Sequence, residues 1–228
     1  MAPRTPSNGA PHSVQKMTLV SQVTQVLLEK IAARDLLPGA KIDVKGLCTE
    51  LDISPTPVRE ALQRLAQDGV LESRPFVGYF VVELTREDIS QLFGFREAIE
   101  TFALRHAFDR VDHEAWRALF GENERLLQEI RRDGLNPTTQ REYRRLDQKL
   151  HHQLIVRGSG NKWLAHLSGA ILDLIFFTWD LTANPEAGAL EHEVILSAVL
   201  AHDLDSSVAA LSKHLARAKD EALAESGK

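Results

Sequence analysis

Asp147 and His151 stand four residues apart in a stretch, Thr138 to Arg157, whose apolar residues recur at helical spacing. Carboxylate and imidazole therefore share one helix face with Leu150 and Leu154. His192 is in phase with Ile195, Leu196 and Val199, and His214 with Ala210, Leu211, Leu215 and Ala218, so each of these histidines faces a core. Three helices that turn such faces inward can bring one carboxylate and three imidazoles together. That donor set suits Zn first, with Ni, Mn and Fe as the other matches, and leaves coordination positions open if the ion is five- or six-coordinate. The plain alternative is a satisfied core residue, the usual fate of a histidine on an apolar face. Nine histidines are present, six of them after Asp147. His152, His166 and His202 fall off the pattern and read as structural or solvated, with His152 near enough to border a pocket.

Positioning these groups requires a helical C-terminal part. Helical periods cover about Glu114–Arg132, Thr138–Arg157, Lys162–Leu181, Ala187–His202 and Ser206–Ala224, with breaks at Asp133–Pro137, Gly158–Asn161, Asn184-Pro185 and Asp203–Asp205. An earlier helix opens at Thr85, where Thr85 and Asp88 form a capping pair leading into Ile89, Leu92, Phe93, Arg96, Ile99, Glu100, Ala103 and Leu104. About six antiparallel helices joined by short loops make a bundle. Arg96 lies on the apolar face of its helix. A buried guanidinium needs a partner, and either Glu100 one turn on or the carboxylate of a ligand in a cavity supplies it.

The front of the chain is organised differently. Leu47 to Leu51 is a short amphipathic helix, Asp52-Ile53-Ser54-Pro55 breaks it, and Val58, Ala61, Leu62 and Leu65 make the apolar stripe of a second helix. Ser54 or Thr56 can cap that helix, and Thr56 followed by Pro57 at the first helical position fits better because a residue preceding proline resists the α region. Thr56, Arg59 and Gln63 face outward. A helix led by hydroxyls and an arginine suits a DNA major groove entered end-first, and equally describes an ordinary capped surface helix. After Asp68-Gly69, Val70–Arg74 and Tyr79–Glu83 read as two strands around Pro75-Phe76-Val77-Gly78. Helix, turn, helix and hairpin give a winged helix-turn-helix. The fold expected is therefore mainly α: a loose tail over residues 1–16, a winged helix-turn-helix over 17–84, and an all-α antiparallel bundle over 85–228.

The run Ser54-Pro55-Thr56-Pro57-Val58-Arg59-Glu60-Ala61-Leu62 closely resembles the signature S-x-T-P-V-R-E-A-L of the GntR family of bacterial transcription regulators. The resemblance implies that Ser54, Thr56 and Arg59 contact operator DNA, that Lys45 meets a phosphate, and that Gly78 forms a wing tip close to the minor groove. Pro55 departs from the pattern, since many members carry arginine there, and one candidate contact to guanine or phosphate is lost with it. Further on, Asp147–His151, Ser159-Gly160-Asn161, Glu191-His192 and His214 resemble the FCD domain, the ligand-binding half of FadR-type GntR regulators, with Leu150 in place of the usual Phe. This implies that Asp147, His151, His192 and His214 hold a divalent metal and that a small organic acid completes its coordination, with Arg96 and Asn161 as candidate effector contacts. It also implies a homodimer on a near-palindromic operator.

Composition bounds the rest. The 228 residues are 43% hydrophobic, enough for two cores, and the net charge of −5 lies wholly after Leu84: residues 1–84 carry nine cations and nine anions, residues 85–228 carry 18 and 23. DNA would be held through locally placed cations rather than a bulk field. Cys48 is a single thiol among apolar neighbours, and no disulfide can form within one chain. Trp163–Leu181 is apolar but interrupted by His166 and Asp173, so a buried helix is expected there rather than a membrane span, and the protein is expected in the cytoplasm. Two rivals remain open at this stage: a metal-dependent hydrolase with Glu191 or Glu193 as base, and a regulator whose metal is purely structural.

Overall fold

The computed structural model describes residues 18–166, 168 and 184–225. The tail Met1–Lys16 and most of the expected helix Lys162–Leu181 lie outside the described residues.

The first core forms where apolar stripes meet. Helix α1 (Leu19–Ala32) starts at Thr18, whose hydroxyl accepts the Ser21 N–H, and buries Val23, Leu27, Leu28 and Ile31. Helix α2 (Val44–Leu51) is capped by Asp43 and stopped by Asp52 in the left-handed region, φ 52°, which turns the chain into α3 (Pro55–Gln67). Val58, Ala61, Leu62 and Leu65 of α3 pack on α1 and on Val70, Leu71 and Val81 of the hairpin. Strands β1 (Leu71–Arg74) and β2 (Gly78–Val81) pair antiparallel in register from Leu71↔Val81 to Arg74↔Gly78. Lys41 bridges Phe80 beyond β2, and the Ile42 N–H donates to Tyr79 O at 2.9 Å.

Two expectations need correction here. The strands are shorter than Val70–Arg74 and Tyr79–Glu83, because Gly78 already pairs with Arg74 and the ladder ends at Val81. The cap of α3 is Ser54, extended at φ −68° and ψ 159°, with Pro55 rather than Pro57 at the first helical position; Ser54 makes no side-chain cap bond. Both prolines are tolerated because the first-turn N–H groups have no helical partner to lose.

The second core is all-helical: α4 (Arg86–Ala107), α5 (His113–Asp133), α6 (Pro137–Gln148), α7 (Pro185–Leu200) and α8 (Leu204–Glu225). The Thr85/Asp88 capping box is present at the start of α4. Trp116, Leu119, Leu126, Leu146, Leu150, Ile195, Leu196 and Leu211 form the centre. Asn123, buried on α5, donates to Ala189 O at 2.8 Å and ties α5 to α7. The stretch Thr138–Arg157 is not one α-helix: α6 runs directly into a π-helical segment, Lys149–Arg157. In that segment Leu150, His151, His152, Ile155 and Val156 are all buried. A wider turn lets consecutive residues face inward, which a single α stripe does not. Among the described residues no helix is long and apolar enough to cross a membrane.

Candidate metal centre and DNA-reading face

The π-helical segment with α6, α7 and α8 brings Asp147, His151, His192 and His214 together: one donor atom from each lies within 4.8 Å of the others, and all four residues are buried. Asp147 Oδ1 is 3.2 Å from His192 Nε2 and 3.4 Å from His151 Nε2. Bonds of about 2.1 Å to a tetrahedral ion separate its ligands by about 3.4 Å, so these contacts already have ligand spacing. Asp147 Oδ2, His151 Nε2 and His192 Nε2 have no hydrogen-bond partner although fully buried. Orphaned polar atoms inside a core are costly, and a cation is the partner that would satisfy all three at once. The residues fit a divalent ion.

Two carboxylates orient the rings from behind. Glu100 on α4 accepts from His151 Nδ1 and from Arg96 Nε at 2.5 Å. Glu191 on α7 accepts from His214 Nδ1 at 2.8 Å and from Arg217 Nε at 2.6 Å. A carboxylate on the far nitrogen fixes the tautomer and strengthens the ring as a ligand. The Tyr143 ring stacks parallel to His192 at 5.7 Å between centroids.

Charge follows this geometry. Burial and the neighbouring His192 and His151 push His214 well below the ordinary histidine value. Burial likewise lowers His192 despite Asp147 beside it, so both rings stand neutral and ready to bind a cation. Burial opposes ionisation of Asp147, but the His151 and His192 rings beside it, His151 foremost, outweigh burial and hold the carboxyl well below the usual range. Burial also disfavours a charged His151, yet Glu100 outweighs it and raises the ring above its ordinary value.

The residues expected to meet DNA are exposed, Gly78 only in part. Ser54, Thr56 and Arg59 lie on the open side of the first turns of α3, Lys45 on the first turn of α2, and Gly78, at φ 132°, opens β2 at the wing. Arg96 lies beside the buried cluster, joined to it through Glu100. Asn161 is not brought to the cluster: it is exposed, and its Oδ1 accepts the Trp163 and Leu164 N–H groups at 3.1 Å.

Family models place these parts. Residues 19–81 match the bacterial regulatory proteins of the gntR family, and residues 91–217 match the FCD domain. The chain belongs to the GntR family, in its FCD class. This FCD-class regulator is 32% identical over 140 residues to the HTH-type transcriptional regulator YdhC of Bacillus subtilis, an alignment that spans 61% of the chain and 60% of that protein. Its fold is that of Escherichia coli McbR/YncC, with a TM-score of 0.74 at 22% identity over 89% of the chain and 95% of that structure. The zinc-bound FCD domain of TM0439 is similar at a TM-score of 0.51 and 21% identity, covering 62% of the chain and 95% of that domain.

The regulator is not an enzyme, as the family and its named relatives are transcription regulators. Of the two bases considered for a hydrolase, Glu191 or Glu193, Glu191 is committed to His214 and Arg217. Sequence spacing missed three contributors. Glu100 was visible only as the partner of Arg96, Arg217 carried no signal, and Gly188 looked like any small helical residue. A Cβ at Gly188 would overlap the Tyr143 hydroxyl, so the glycine is what lets the Tyr143 ring sit against His192. Gly188→Ala is expected to destabilise the regulator by about 1–3 kcal/mol through overpacking. It should also weaken ion binding, read as a lower melting temperature and a right-shifted metal titration.

Proposed function

We propose that the regulator represses transcription from a near-palindromic operator, and that a small organic acid binding at a divalent ion in the helical unit releases it. The observation that carries the reading is the buried convergence of one carboxylate and three imidazoles, with unsatisfied donor atoms aimed at a common point, in a chain whose other half reads DNA. Asp147, His151, His192 and His214 would hold the ion, zinc first, with nickel, manganese or iron as the other matches. The ion supplies a Lewis-acidic anchor for a carboxylate ligand. Glu100 and Glu191 orient His151 and His214. Arg96 sits beside this group and is proposed to add positive charge opposite the acid. Asn161 enters the proposal only as the cap of the turn after the π-helical segment.

The helix α4 offers a route between the two halves. Leu84, just before it, and Leu92 on it pack on the winged core and on the Ile89–Phe93–Ala222 cluster, while Glu100, two turns further, holds His151. A ligand that displaces His151 or Arg96 acts on the same rigid helix that seats the winged unit. We place the boundary between the two units at residues 84 and 85. In a homodimer two α3 helices would enter successive major grooves, with Lys45 on phosphate and Ser54, Thr56 and Arg59 at bases and backbone. Phe95 and Phe102, seven residues apart and exposed on α4, offer apolar area for pairing two copies. A protein acting on operator DNA in this way would work in the cytoplasm.

Titrating carboxylic acids against zinc-loaded and chelated protein on a selected operator duplex tests the switch. Coupling of about 1–3 kcal/mol predicts a 5- to 150-fold loss of operator affinity that appears only in the metal-loaded protein. An acid that binds without any metal-dependent change in operator affinity would sink the sensing half. Chelation that lowers the melting temperature but leaves the acid response intact would instead make the ion structural.

A further inference from the structure

At the wing the chain does something its local geometry resists. The Val77 N–H donates to Arg74 O at 3.0 Å, closing a turn with Pro75 at its second position and Phe76 at its third. Phe76 has φ 62°. Proline followed by a positive φ is a type II turn, whose third position ordinarily takes Gly or Asn because a bulky side chain is strained there. Phe76 is nevertheless fully exposed, at 110%, and Val77 beside it is 52% exposed. An aromatic ring held in a strained conformation with no place in either core is shaped for something outside the chain.

The surroundings say what. Lys41 bridges Phe80, and a Cβ at Gly78 would lie 3.3 Å from Lys41 Cε, so the lysine runs along the hairpin. The Arg74 guanidinium lies 4.0 Å over the Phe80 ring at the foot of the turn. Lys41 is the cation beside the tip, Arg74 being paired with Glu72 at 2.8 Å, and the tip itself is apolar. Resting on the reading that this chain binds operator DNA, we infer that Phe76, supported by Val77, is a wedge that enters the minor groove and parts a base step, kinking the operator. Lys41 takes a phosphate beside the wedge, while Arg74, paired with Glu72, braces the hairpin under it. Apolar side chains that unstack a step act in this way, and flexible pyrimidine–purine steps yield most readily. The wedge would give the regulator sequence preference at positions α3 never touches.

The test uses the full chain and a duplex of about 30 base pairs selected from a random pool by the wild-type protein, labelled for end-to-end energy transfer and carrying 2-aminopurine at successive minor-groove steps. Wild-type protein is expected to bend the duplex and brighten one step. Phe76→Asn, which keeps the left-handed turn but removes the ring, is expected to lose about tenfold in affinity together with the bend and the brightening. Phe76→Met, another apolar wedge, should retain most of all three. The salt dependence should be unchanged in Phe76→Asn and shallower in Lys41→Ala, because only the latter gives up a phosphate. Unchanged affinity and bend in Phe76→Asn overturn the wedge, including the case in which the ring instead proves to contact another protein. Failure of the wild type to select any duplex overturns the DNA reading itself, and the wedge with it.

Discussion

Replacing Glu100 by leucine is expected to destabilise the metal-free protein by about 3–5 kcal/mol in urea unfolding at neutral pH, more than any other single polar substitution in the helical unit. Glu100 is fully buried and answers two cationic groups, Arg96 at 2.5 Å and His151 Nδ1. Its removal takes from Arg96 its hydrogen-bonded carboxylate inside a low-dielectric core, and that lost compensation is what costs. An exposed pair such as Arg132–Asp133 contributes far less, because water screens its charges. Glu100→Gln should cost less, because an amide oxygen still accepts one hydrogen bond. Arg96→Met combined with Glu100→Leu should recover much of the loss, since both charges then leave together.

The same carboxylate predicts an acid limb. Burial raises the Glu100 carboxyl, but Arg96 and His151 outweigh it and bring it down to about 2, below its ordinary 4.5. A depressed acid contributes its stability in full above the unfolded value, and that contribution drains away as pH falls from about 4.5 toward 2, amounting to about 3 kcal/mol. His192 and His214 add to the slope at higher pH. Held neutral in the fold, they bind protons on unfolding, so stability also declines as pH drops below about 6.5. Equal stability of wild type and Glu100→Leu at neutral pH would show that Arg96 has ready access to water and that the pair is not a structural keystone.

His192→Ala is expected to weaken divalent-ion binding by about 100-fold or more. Binding of a structural zinc ion by four ligands is worth about 10–16 kcal/mol in small folded sites, so one ligand accounts for several kcal/mol. The consequence is measurable as stability. Free metal held at 1,000 times the wild-type Kd should stabilise the fold by about 4 kcal/mol, whereas after a 100-fold loss the same metal gives about 1.4 kcal/mol. Without metal the variant should unfold close to wild type, because it deletes an orphaned buried Nε2 along with the packing of the ring on Tyr143. Thermal melts with and without zinc, alongside competition titration with a chromogenic chelator, read both quantities. If His192→Ala binds zinc as tightly as wild type, the four side chains are not the ligand set.

The outward face of α3 and the four buried Asp and His side chains were readable because each announces itself along one helix. Val58, Ala61, Leu62 and Leu65 recur at the period that buries one face, which leaves Thr56, Arg59 and Gln63 outside. His192 and His214 fall in phase with leucines and isoleucines, so their burial could be inferred, and Asp147 with His151 needed only a four-residue spacing. The capping box of Thr85 and Asp88 is equally local. What failed to show was whatever depended on a neighbour from elsewhere in the chain. Glu191 sits next to His192 in sequence yet bonds His214 on another helix, and Glu100 serves His151, 51 residues away.

By itself, then, the sequence determined two apolar cores, a helix-turn-helix with its wing, and a set of inward-facing carboxylate and imidazole groups, because periodicity decides which side of an element is buried. Tertiary structure alone decided that these groups meet with donor atoms at ligand spacing, that Glu100 and Glu191 aim two of the rings, and that the backbone around His151 widens to a π-helix. The physical reason is that distances between elements, and the shape a helix takes when several of its consecutive residues must face inward, are set by packing across the core rather than by spacing along the chain.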